Sequence, residues 1–160
     1  MHAADSESEA ITAEGLEALK TQLHELETTG RRAMAERIGA ARELGDLKEN
    51  AEYHMAKEDQ AHFETKIKRL RERLRKAVVI EVADDEGTLG FGRTGEVLDE
   101  TSGKTHVWTI VGATEADLGQ GKLSAESPVA RALLGRAPGE SVTVQTPRGP
   151  RPYKLERILA

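Results

Sequence analysis

The chain has 160 residues, no cysteine, 32% charged and only 3% aromatic residues, and a formal net charge of −5. That length holds one ordinary domain, or an extended element plus a small globule, and such a composition argues against a large enclosed catalytic pocket. With no apolar run near the ~20 residues that cross a bilayer, and no basic-then-apolar secretory pattern at the start, the chain reads as soluble and cytoplasmic; its acidic balance leaves room only for local nucleic-acid contact.

The leader, residues 1–10, is polar and acidic with almost nothing to bury, and is expected to be disordered. Thr12 is a natural N-cap with Glu14 in the first turn behind it. From there Leu16, Leu19, Leu23 and Leu26 recur at helical spacing, and Ala33 or Met34, Ile38 and Ala41 continue the stripe less cleanly. Gly30 and Gly39 each weaken the helix by roughly 1 kcal/mol relative to Ala, so local bending is expected. Gly45 follows Leu44, where a glycine ends a helix and lets the chain reverse. A second stripe runs through Met55, Phe63, Ile67, Leu70, Leu74 and Ala77, with Ala56 and Gln60 near its start. Two matching stripes with a short connection predict an antiparallel coiled-coil hairpin over residues 11–80, with an arm of roughly 45 Å.

After Lys76 the character changes. Val78-Val79-Ile80 is a short β-branched run, and Asp84-Asp85-Glu86-Gly87 reads as a turn or linker, so a domain boundary is placed there and a second domain spans residues 84–160. Alternation through Val107, Thr109 and Val111, and through Val142 and Val144, predicts strands. Thr101-Ser102-Gly103-Lys104 and Pro147-Arg148-Gly149-Pro150 carry turn chemistry, and Ser127 to Gly135 reads as one short helix from N-cap serine to terminating glycine. The whole is α+β: an N-terminal helical hairpin followed by a small sheet-plus-helix domain.

The run Gly45-Asp46-Leu47-Lys48-Glu49-Asn50 is therefore the hairpin tip, with the carboxylates of Asp46 and Glu49 three residues apart. In mid-helix such a pair is an ordinary solvated face. At a tip, beside Arg42, Lys48 and Lys57, the pair can hold Mg²⁺, which prefers oxygen ligands, keeps several waters and is commonly shared with a phosphate substrate. Two carboxylates bind it weakly alone, so they form half of a site that a partner carrying metal and phosphodiester completes.

Three other patterns compete for notice. Gly90-Phe91-Gly92-Arg93-Thr94-Gly95 matches G-x-G-x-x-G, yet Glu96 to Glu100 runs into a turn where dinucleotide binding needs a helix. His54, Glu58 and His62 share a helix face at zinc-compatible spacing without a completing ligand motif, and surface or interface histidines are the plainer reading. The basic run Lys66 to Lys76 keeps its charges outside the apolar register, so it is either a nucleic-acid or acidic-protein contact or a solvated face.

The segment Gly45 to His54 resembles, almost letter for letter, the coiled-coil tip of the Gre family of bacterial transcript-cleavage factors, of GreA type. Gly121 to Gly135 independently resembles that family's polymerase-docking segment, and Thr12-x-x-Gly15 its N-terminal start; the resemblance covers residues 11–159. It implies a coiled coil that enters the secondary channel of bacterial RNA polymerase, held at the rim by a C-terminal domain of FKBP-like fold. Asp46 and Glu49 would stabilise a Mg²⁺ shared with the polymerase and help position the water that cuts backtracked RNA, the factor not being the nuclease itself. By position, Arg42 and Lys57 would lie near the extruded RNA 3′ end, Tyr53 would order the tip or stack on a base, and Glu126, Ser127 and Pro128 would dock on the polymerase. The protein is expected to act as a monomer. The chain departs from the family pattern at Leu44, where histidine is common, at Ala33, where a proline often follows two arginines, and at Lys57, which replaces an arginine and loses its planar fork. Two alternatives share parts of this reading: a Gre-like paralogue that occupies the channel and inhibits, and a peptidyl-prolyl isomerase module suggested by the C-terminal fold alone.

Overall fold

A computed structural model of the chain describes residues 8–81 and 87–159. The chain divides into two compact units, one comprising Leu16–Ala77 and the other Met1–Gly15 together with Val78–Ala160. The architecture is α+β. No helix among the described residues is long and apolar enough to cross a membrane.

The helical unit contains most of α1 (Ala13–Glu25), a π-helical turn at Leu26–Gly30, α2 (Arg31–Arg42) and α3 (Ala51–Lys76). Leu19, Leu23, Ile38, Ala41, Ala56, Ile67 and Leu70 are buried, which is the apolar stripe expected of two paired helices. Ion pairs cross between the arms in descending order, Glu27 with Arg71, Arg31 with Glu64 and Arg37 with Asp59, so the arms are antiparallel. The Arg31–Glu64 pair is bidentate at 3.0 and 2.9 Å. Hydrogen bonding from Arg31 holds the Glu64 carboxyl below the usual carboxylate range and raises the guanidinium above its own.

Two details differ from the periodic reading. The expected bend takes the form of a π turn ending at Gly30, where a Cβ would stand 2.6 Å from Cζ of Phe63. The wider turn inserts an extra residue, which is why Met34 and not Ala33 carries the stripe into Ile38. In α3 the buried residue of the first turns is Ala56, fully enclosed, while Met55 is exposed.

The sheet unit begins earlier than the sequence predicts. Order was expected from Thr12, yet Glu9 and Ala10 lie in β1 (Glu9–Ile11), which pairs with β2 (Ala77–Val79), and the Ile80 N–H donates to the Ile11 carbonyl at 3.0 Å. Strand pairing satisfies the backbone whatever the side chains, which is why a polar segment can be ordered. Residues 1–7 of the leader and residues 84–86 of the expected linker lie outside the described residues.

Thr12 caps α1 by accepting from the Gly15 N–H at 3.0 Å. The Glu115 carboxylate then collects the Thr12 N–H, the Thr12 hydroxyl and the Gly112 N–H. A side chain at Gly15 would strike that carboxylate, and one at Gly112 would strike the Ala10 carbonyl. Both glycines are there for close approach.

Five strands form the main sheet in the order β5-β4-β3-β7-β6: β3 (Thr94–Asp99), β4 (Thr105–Val111), β5 (Lys122–Ser124), β6 (Ser141–Thr146) and β7 (Gly149–Ile158). β3 pairs antiparallel with β4 and with β7, where a bulge falls between Glu96 and Val97; β6 and β7 form a hairpin; β5 runs parallel to β4. Helix α4 (Pro128–Leu133) contributes Ala130 and Leu133 to a core shared with Leu89, Val97, Ile110, Leu123, Val142, Val144, Tyr153 and Leu155. The Ser127 hydroxyl caps α4 by accepting from the Ala130 N–H, as the serine-to-glycine pattern predicts. Gly90 to Arg93 turns into β3, whose first residues are Thr94 and Gly95, and a strand, not a helix, follows the glycines.

Candidate functional site

Helix α2 ends at Arg42, and the chain reverses through Gly45 at φ +130°, a conformation that side-chain-bearing residues rarely adopt. The Asp46 Oδ1 then accepts the Lys48 N–H at 3.0 Å, and the Glu49 N–H donates to the Asp46 carbonyl at 3.3 Å. An i to i+3 bond of that kind closes a four-residue turn whose end Cα atoms lie within about 7 Å. Asp46 and Glu49 are the two ends of this turn, and both are exposed. The turn thus gathers two acids that would otherwise diverge along an extended loop.

Asn50 braces the turn from both sides. Its Oδ1 accepts the Tyr53 N–H at 3.0 Å, capping α3, while its Nδ2 donates to the Ala41 carbonyl in the last turn of α2. One side chain therefore ties the end of one arm to the beginning of the other. His54 adds a second contact, its Nε2 lying 3.3 Å from the Lys48 carbonyl, which accepts when that nitrogen carries a proton. The sequence pattern gives Asn50 no role of its own, and it places His54 on a face with Glu58 and His62 and not against Lys48. Asn50 had a readable signal, an Asn immediately before a helical stripe; for His54 nothing in the spacing announces the contact.

The remaining tip residues separate into two groups. The Arg42 guanidinium lies 5.7 Å from the Tyr53 ring centroid, a cation–π pair, and Tyr53 meets His54 edge to face at 5.8 Å. Lys57 is not gathered with them, since its ammonium donates to Gln60 at 3.0 Å, one turn further along α3. Glu126 and Pro128 are exposed in the sheet unit, and Ser127 between them is held by its hydroxyl donating to the Ser124 carbonyl at 2.7 Å. These three therefore form a stiff corner at the start of α4.

Among the described residues no cluster of three or more His, Asp or Glu side chains is arranged to hold a metal ion, so His54, Glu58 and His62 do not assemble into a site. Asp46 and Glu49 offer oxygen donors of the type Mg²⁺ takes, but fewer than its six positions need, which fits a shared ion and not a caged one. In the basic run, Arg71 pairs with Glu27 and Arg75 with Glu72, the latter bond lowering the Glu72 pKa.

Residues 9–79 match the family model of the transcription elongation factor N-terminal domain, and residues 84–159 that of the GreA/GreB C-terminal domain. The chain is 45% identical over 150 residues to the transcription elongation factor GreA of Alkalilimnicola ehrlichii, covering 92% of this chain and 95% of that protein. It is 44% identical over 149 residues to the GreA of Rhodopseudomonas palustris, covering 92% and 94% respectively. A crystal structure of GreA factor homolog 1 (Gfh1) from Thermus thermophilus aligns over 96% of this chain and 99% of that one, at 28% identity and a TM-score of 0.41.

Proposed function

The chain belongs to the GreA/GreB family of transcription elongation factors, and from that premise we propose that its hairpin tip enters the secondary channel of bacterial RNA polymerase and stimulates the polymerase's own cleavage of backtracked RNA. The observation that carries this reading is the Asp46–Glu49 turn: two exposed acids at the ends of one backbone-closed turn, next to Asn50, which ties the two arms together. A pair placed for solubility alone needs no such bracing.

In this role Asp46 and Glu49 would hold a Mg²⁺ ion jointly with polymerase ligands, and such an ion would supply Lewis-acid stabilisation of charge on the phosphodiester and lower the pKa of water. The chain's own contribution is positional. The Lys48 N–H fixes one oxygen of Asp46, leaving the other oxygen and the Glu49 carboxylate to accept hydrogen bonds from the attacking water and orient it. Arg42, stacked on Tyr53, presents a cation to the extruded RNA 3′ end, and Lys57 reaches it only by releasing Gln60. Glu126, Ser127 and Pro128 dock on the polymerase rim. The protein acts as a monomer in the cytoplasm, adds no nuclease of its own, and its C-terminal unit is FKBP-like in chain trace.

The test is cleavage of RNA in a stalled, backtracked polymerase complex. Asp46→Ala and Glu49→Ala each lower the stimulated rate by at least about tenfold while binding persists, and the double variant abolishes stimulation. Full stimulation by the double variant refutes the reading. Slowed synthesis without RNA shortening by the unmodified protein would assign it instead to the inhibitory paralogues, and turnover of a prolyl peptide to an isomerase.

A further inference from the structure

The Asp46–Glu49 turn is closed mostly from within. Asp46 serves two successive amides, its Oδ1 accepting from the Lys48 N–H at 3.0 Å and its carbonyl from the Glu49 N–H at 3.3 Å. The Lys48 carbonyl is met from outside the turn, by Nε2 of His54 on α3 at 3.3 Å. Asn50, the other brace of the tip, bonds Ala41 and Tyr53, which both stand outside the turn.

The Lys48 carbonyl and the Glu49 N–H belong to one peptide group, which is a rigid plane. Held at the N–H alone, such a plane still pivots about that bond; held at both edges, it does not. Glu49 is the residue attached to its far side, so the orientation of the plane sets the direction in which the Glu49 side chain leaves the backbone. A carbonyl oxygen only accepts, so the contact is a hydrogen bond whenever Nε2 carries a proton, as it does in one neutral tautomer and in the imidazolium. Helix α3 does not need this side chain for its own start. His54 is exposed, and its backbone N–H is already bonded to the Asn50 carbonyl at 3.1 Å. The face it shares with Glu58 and His62 holds no metal cluster among the described residues.

We propose that His54 is a positioning residue for Glu49: by donating from Nε2 to the Lys48 carbonyl it locks the Lys48–Glu49 peptide and aims the Glu49 carboxylate. The proposal rests on the reading of Asp46 and Glu49 as the working acids. His54 touches neither RNA nor metal in this role, and everything it does passes through Glu49.

Two substitutions isolate the bond. His54→Leu removes the donor and keeps a good helix former, whereas His54→Gln keeps an N–H donor near the place of Nε2. In the free chain, amide exchange at Glu49 rises about three- to tenfold in His54→Leu and returns most of the way in His54→Gln, with exchange further along α3 and the melting temperature unchanged. In stimulated cleavage of one backtracked complex, His54→Leu lowers the saturated rate about three- to tenfold at an unchanged half-saturating concentration, and His54→Gln restores it. Combined with Glu49→Ala, His54→Leu costs nothing further, because the group it aims is gone.

Unchanged Glu49 exchange in His54→Leu overturns the lock. An equal deficit in the glutamine and leucine variants overturns the hydrogen bond, and a raised half-saturating concentration at an unaltered saturated rate makes His54 a binding contact instead. A full further loss in the Glu49→Ala background overturns action through Glu49. An impaired Glu49→Ala beside an unimpaired His54→Leu refutes this proposal alone; a fully active Glu49→Ala removes the premise with it.

Discussion

In the helical unit the buried side chains, Leu19, Leu23, Ile38, Ala41, Ala56, Ile67 and Leu70, are spread thinly along two paired helices. In the sheet unit Leu89, Val97, Ile110, Leu123, Leu133, Val142, Val144, Tyr153 and Leu155 converge on one another from strands, loop and helix. The first arrangement is supplemented by ion pairs that stay largely exposed and are weakened by solvent screening. The second depends on contacts between residues far apart in sequence. A thin spread tolerates change at its end, because the tip shares little with the residues further along; a converging core does not.

The largest effect that would sharpen this contrast is expected in the sheet core. Leu155→Ala removes a fully buried side chain against which Gly95 packs, and should cost about 2–5 kcal/mol in chemical denaturation. A loss below about 1 kcal/mol would show that the core relaxes as freely as the hairpin and erase the distinction. Next is Asn50→Ala, which loses the α3 cap and the tie to Ala41 and should cost about 1 kcal/mol. Hydrogen exchange should confine the loosening to the tip, with cleavage stimulation falling; loosening that spreads along both arms would break the picture of an independent end.

The smallest effect concerns Asp99. Burial pushes its carboxyl up, but hydrogen bonds from the Thr101 and Ser102 N–H groups and the nearby Arg151 outweigh this and leave its pKa lowered. A carboxyl lowered by folding contributes stability that is present above its unfolded pKa, near 4, and is lost as pH falls through the folded value. Asp99→Asn should therefore melt earlier than the unmodified chain at pH 7, with the gap closing below about pH 4. A gap that persists in acid would assign the effect to shape and not to charge.

The hairpin was legible because a 3.6-residue period survives substitution of one apolar residue by another. It misled at Met55, since the eye follows large side chains, whereas the residue that is fully buried in those first turns is the small Ala56. The strands β4 and β6 announced themselves by alternation. β7 did not, because Pro150, Arg151, Pro152 and Lys154 interrupt any apolar pattern, and three-residue β1 and β5 are too short to show one. The acids of the tip could be named from their spacing. The turn that gathers them could not, because it is held by backbone donors and by Asn50 reaching across nine residues to Ala41. Chemistry is written in side-chain types; the posture that makes it usable is set by bonds that leave little trace in composition.

The meeting of Thr12 with Glu115, 103 positions apart, has a consequence for the newborn protein. A ribosome that has finished both arms of the hairpin has not yet supplied the carboxylate that receives the start of the chain, so the opening segment emerges first and settles among the last. Until residue 115 clears the exit tunnel, β1 and the first turn of α1 lack that anchor. A protease present during translation should find its earliest cuts there, and lose them once synthesis is complete.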